Sequence, residues 1–156
     1  MKSRELQTIW WDWLSTSERL LRSLYEQTAA LTLRDVGRVE RIQPELEGLL
    51  AKIRSLDEDA VTCAKRLADE LGAEPSLRIL VQVLEKAEAQ QLQGLANRVT
   101  VVARNVQSVL AKNRALIGSE MTYVNGTLTL IAKAAVHAQS PFSKRENAAV
   151  LVNEAA

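Results

Sequence analysis

The sequence predicts an all-α protein, an antiparallel bundle of three to four long amphipathic helices with coiled-coil-like packing. Three observations carry that prediction. Apolar residues recur at three- and four-residue steps through most of the chain, which places them on one face of a helix. Hydrophobic residues make up 47% of the 156 positions but aromatic ones only 4%, so the core must be built from Leu, Val, Ile and Ala, as bundle cores are. Gly37, Pro44, Gly72 and Pro75 fall between the stripes, where helices start and stop. The length suits one domain, residues 1–138, with helices at about 3–33, 44–71, 76–117 and 118–137 and a mobile C-terminal tail at 139–156.

The first stripe runs Leu6, Trp10, Trp13, Ser17, Leu20, Leu24, Thr28 and Leu31, with charged residues opposite, and Ser3 is placed to cap its start. Around "LTLRDVGRVERIQP" the pattern loosens. Gly37 and Pro44 interrupt it, and Pro44 suits the first turn of the next helix, where its missing N–H is not needed. The second stripe resumes as Leu46, Leu49, Ile53, Leu56, Ala60, Cys63, Leu67 and Leu71 and stops at Gly72. The third opens near Pro75 and Ser76 and runs Leu77, Leu80, Leu84, Ala87, Gln91, Leu95, Val99, Val102, Val106, Val109, Asn113 and Leu116. Gln91 and Gly94 are weak core choices, so an irregularity is expected near Gly94. Three such stripes joined by short connections pack most simply as antiparallel helices, each against the other two.

The stretch "MTYVNGTLTLI", Met121 to Ile131, contains an Asn-Gly pair that reads as a hairpin turn. A lone two-stranded hairpin is marginal in water, however, and Ile117, Met121, Val124, Leu128, Ile131 and Ala135 form an unbroken helical stripe across the pair. The residues between them, Thr122, Asn125, Gly126, Thr127 and Thr129, are poor helix formers. Such a helix depends on contacts to its stripe, supplied either by its own bundle or by a partner.

Little points to chemistry. The formal charge is +1, from 20 basic and 19 acidic residues, so neither nucleic acid nor an anionic membrane has a matching surface. No apolar run reaches transmembrane length and no signal-peptide core forms at the start, which makes cytoplasm the expected compartment. His137 is the only histidine and sits near a helix end; Cys63, the only cysteine, lies on the second stripe and reads as a small buried hydrophobe. The run Asp57, Glu58, Asp59 lacks the loop spacing of a calcium site, and the glycines sit in no phosphate-binding pattern. No enzyme, metal or cofactor is expected. In "WWDW", Trp10 and Trp13 share the inner stripe, while Trp11, roughly 100° round the helix, is a candidate secondary partner surface.

The C-terminal stretch "LAKNRALIGSEMTYVNGTLTLIAKA" is where a family pattern enters. Asn113, Leu116, Tyr123, Val124, Asn125, Gly126, Leu128, Leu130 and Ile131 follow the order Asn, Leu, an aromatic or apolar pair, Asn-Gly and a Leu-rich close. In this, and in its helical layout, the chain resembles the FlgN family of flagellar export chaperones. The resemblance implies a small cytoplasmic protein that binds hook–filament junction (hook-associated) proteins and delivers them to the flagellar export apparatus. It also implies a client-binding segment at the C-terminal amphipathic helix: Ile117, Met121, Val124, Leu128 and Ile131 on the stripe, with Tyr123 and Leu130 at its margins. Two alternatives stay open. The same stripe could complete the bundle as a fourth element, and the protein as a whole could be a structural bundle forming a permanent homo-oligomer.

Overall fold

A computed structural model of the chain describes the backbone of residues 1–124 and the side chains of residues 1–118. Over these residues the protein is all-helical, as predicted: α1 (Arg4–Thr32), α2 (Val36–Leu71), α3 (Leu77–Val83) and α4 (Lys86–Val124). The expected helix over 118–137 and the tail over 139–156 lie outside the described residues except for 118–124, which continue α4.

The first helix follows its stripe. Leu6, Trp10, Trp13, Ser17, Leu20, Leu24 and Leu31 are buried and Thr28 nearly so. Ser3 occupies the N-cap position, but its hydroxyl caps no backbone amide of α1: it donates to Glu88 of α4 and accepts from the Gln7 side chain. The helix α2 begins at Val36, two turns before Pro44, and not at the proline. Asp35 is the true start signal, its carboxylate accepting a hydrogen bond from the Arg38 amide at 3.1 Å. Pro44 then sits inside the helix on its exposed side, where the Glu40 carbonyl it leaves unbonded is open to solvent. Gly72 ends α2 as expected, in the left-handed conformation (φ 63°) that glycine adopts without strain.

The third stripe is divided at a different place from the one its composition suggested. Leu84 is extended (ψ 159°), which separates α3 from α4, and α4 then passes through both Gly94 and Gly118 without a break. The kink resets the phase of the stripe. Leu77 and Leu80 point inward from α3, and Leu92, Leu95, Ala96, Val99, Val106 and Val109 from α4, while Ala87 and Gln91 face solvent. Gly94 is exposed in mid-helix with open space where a Cβ would stand. Gly94→Ala is therefore expected to stabilise the fold by about 0.5–1 kcal/mol, read as a higher urea midpoint with an unchanged slope.

Side-chain contacts fix the directions. Glu5 pairs with Arg66, and Gln27 reaches Gln43, so α1 and α2 are antiparallel. Ser3 meets Glu88, Trp11 meets Arg98, and Leu24, Gln27 and Thr28 meet Asn113, so α4 runs parallel to α1 at a nearly constant offset of 85 to 89 residues. The backbones of α2 and α4 hardly approach one another; both rest on α1, and α3 covers the beginning of α4. The expectation that each helix packs against the other two is thus corrected for α2 and α4, whose backbones stay apart. With twelve buried positions, α1 carries a face wide enough for two neighbours and forms the axle of the bundle.

Candidate functional site

Two polar contacts hold α4 against α1. At the upper end, the Ser3 amide and hydroxyl both donate to Glu88 Oε1 at 2.6 Å. Burial works to raise the Glu88 pKa, but the two Ser3 bonds, aided by Lys2, outweigh it and hold the carboxyl below its ordinary range. A depressed folded-state value stabilises the fold above the ordinary glutamate range, and the contribution is lost as pH falls through the folded-state value. Glu88→Gln should therefore lower stability by about 1 kcal/mol near neutrality, with the gap from the parent protein closing on acidification below pH ~4. Thermal melts of both proteins from pH 7 to pH 3 read this directly.

At the lower end, Asn113 is buried to 1% exposure. Its Nδ2 donates to the Leu24 carbonyl (3.0 Å) and to Gln27 Oε1 (2.9 Å), and its Oδ1 accepts from the Thr28 hydroxyl. Gln27 in turn donates to Gln43 of α2 at 3.5 Å, and Gln43 to Glu47. A polar residue among apolar ones on an inward stripe fixes register, since any slide leaves its hydrogen bonds unmade.

That register determines what happens just below. Extended one turn from the Thr28–Asn113 pair, it brings Thr32, the last residue of α1, level with Ile117. Arg34, in the left-handed region (φ 57°), helps reverse the chain there, and α2 departs from Val36. The α4 backbone nevertheless continues to Val124, seven residues beyond Ile117 and so about 10 Å past the end of α1. At this same end Leu33 and Val36, in and beside the turn, are 71% and 66% exposed.

The residues singled out from the sequence fall into three groups. Ile117, half-buried, marks the point where α1 ends. Met121, Tyr123 and Val124 stand on the projecting part of α4, with Met121 and Val124 on the Ile117 side, and their side chains are outside the described residues. Leu128, Leu130 and Ile131 lie beyond the described residues altogether, as does His137. Trp11 is 49% exposed beneath the Arg98 guanidinium, whose carbon is 4.9 Å from the ring centre. This level is nineteen residues of α4, about 28 Å, from Ile117, so the structure does not join Trp11 to the C-terminal stripe. Sequence reasoning missed Leu33, Val36 and the Asn113 contacts. Only Asn113 left a signal, a polar residue at a stripe position.

Cys63 is buried. Its thiol is pushed up by that burial and by Glu5, against the opposing pull of Arg66, and so stays protonated. Among the described residues, no three His, Cys, Asp or Glu side chains gather as a metal site, and no helix is long and apolar enough to cross a membrane.

Over the described residues the chain is thus an all-helical bundle with α4 carried past the end of α1, beside the exposed Leu33 and Val36. Comparison with family models matches residues 1–144 to the family described as FlgN protein. The chain belongs to the FlgN family, the chaperones of flagellar export and assembly, which bind hook-associated proteins and are not an enzyme family. Comparison with curated proteins and with solved structures gives no match.

Proposed function

We propose that this protein is a cytoplasmic export chaperone that holds hook–filament junction proteins on the C-terminal stretch of α4 and the residues that follow, and passes them to the flagellar export apparatus. The client-facing residues are Ile117, Met121, Val124, Leu128 and Ile131, flanked by Tyr123 and Leu130. The observation that carries this reading is the overhang. From Ile117 onward α4 has outrun α1, so an apolar stripe continued there has no α1 surface to bury it. Exposed Leu33 and Val36 at the same end would extend the apolar contact under a client helix. The poor helix formers from Thr122 to Thr129 suit reversible capture, because part of the contact energy goes into ordering the segment and release stays easy.

Amide hydrogen exchange tests the proposal, on the purified protein alone and with the terminal helical arms of hook–filament junction proteins from the same cell. Fast exchange over residues 117–135 in the free protein and protection with one arm is the expected result. Slow exchange in the free protein that no arm changes would overturn it, leaving the stripe as core and a permanent homo-oligomer as the better account.

A further inference from the structure

The outward side of the α1–α4 seam bears a second set of exposed anchors, well away from the α4 overhang. Trp11 and Tyr25, 49% and 52% exposed, are fourteen residues apart, close to four turns, so they share one side of α1 about 21 Å from each other. Between their levels Val101 of α4 is 66% exposed. The parallel register that sets Arg98 over Trp11 also brings Lys112 to the level of Tyr25, and Arg22 lies on the same side of α1, one turn before Tyr25. Carboxylates are scarce here. The sequence of α4 contains none between Glu88 and Glu120, and on this side of α1 there are two, Glu18 and Glu26, each one turn from Arg22.

Trp, Tyr and Arg are the residues that most often anchor interfaces, and the guanidinium over its ring holds Trp11 in one place. We propose that this seam docks a second partner, an amphipathic helix with acidic residues on both sides of an apolar stripe. Its apolar residues rest on Trp11, Val101 and Tyr25, and its carboxylates face Arg22, Arg98 and Lys112. A straight seam between parallel helices accepts a helix of about four turns along its length. Three cations spread over that distance, in a chain of net charge +1, fall short of a surface that follows a phosphate backbone.

The test uses the full chain and a fluorescein-labelled synthetic helix of about 20 residues, with Leu along one face and Glu beside it. Its controls are the same peptide with Lys for Glu, a scrambled peptide, a single-stranded oligonucleotide and phosphatidylglycerol vesicles. The acidic amphipathic peptide alone is expected to bind. Arg98→Glu with Lys112→Glu should weaken it about tenfold or more and favour the Lys peptide instead, with thermal melting altered only by loss of the Arg98–Trp11 ring contact, because both side chains are exposed. If Arg98→Glu disturbs the melt, Lys112→Glu alone carries the same comparison. Val124→Asp with Leu128→Asp should leave this binding intact; its loss there would place the peptide on the α4 overhang and overturn the proposal. So would failure of the acidic peptide to bind, or equal binding by the scrambled peptide, the oligonucleotide or the vesicles.

Discussion

Val124→Asp combined with Leu128→Asp is expected to weaken binding of hook–filament junction proteins by at least about a hundredfold, while thermal unfolding of the bundle changes by less than about 1 kcal/mol. Two carboxylates on an apolar stripe must each be desolvated under a client helix, and each also removes an apolar contact. A hundredfold loss corresponds to about 2.7 kcal/mol, a modest demand on two interface positions. The bundle is spared because Val124 lies beyond the end of α1. Titration calorimetry and circular dichroism melts of the same samples decide the matter. Global unfolding of the double variant would show that the stripe is core, and the site assignment would fail with it.

The second large effect is expected inside the bundle. Asn113→Ala removes the donor to the Gln27 amide oxygen and one of the partners of the Leu24 carbonyl and the Thr28 hydroxyl, which keep their own bond at 2.9 Å, and leaves a small void at a position only 1% exposed. We expect a loss of about 2–3 kcal/mol, or roughly 5–10 °C in melting temperature. Gln27→Ala removes part of the same network, so the double variant should be less destabilised than the two single losses combined. Additive losses would mean that the two side chains do not act together. Because the network sits immediately above the overhang, Asn113→Ala should also speed amide exchange in the last turns of α4.

What the sequence made legible follows from the range of each interaction. The stripe on α1 and the stop at Gly72 depend on neighbours within a turn or two, and both appear as read. The start of α2 was also local, but two local signals competed. Pro44 has a strong preference for a first turn, yet the Asp35 side chain caps a helix that begins earlier and tolerates the proline on its exposed side. The break at Leu84 contains neither Gly nor Pro, and it shows in the sequence only as a slip of phase several residues later, at Gln91. The parallel register of α1 and α4 and the near separation of α2 from α4 rest on contacts about 85 residues apart, which no periodicity records. Of the site, the sequence shows the stripe from Ile117 onward. That α1 stops level with its first residue emerges only from the register.

The central position of α1 also bears on the order in which the protein assembles. The first two helices are joined by a three-residue turn, Leu33 to Asp35, so they can pair as soon as both have left the ribosome, with little loop entropy to overcome. The helix α4 must find the same axle across a gap of some 85 residues, with its backbone hardly approaching α2 on the way. Synthesis therefore delivers a two-helix hairpin first and adds α4 to it as a late layer. On the proposed reading, the segment that meets the client is made and positioned after the α1–α2 hairpin that supports it, so capture of a partner follows completion of that scaffold.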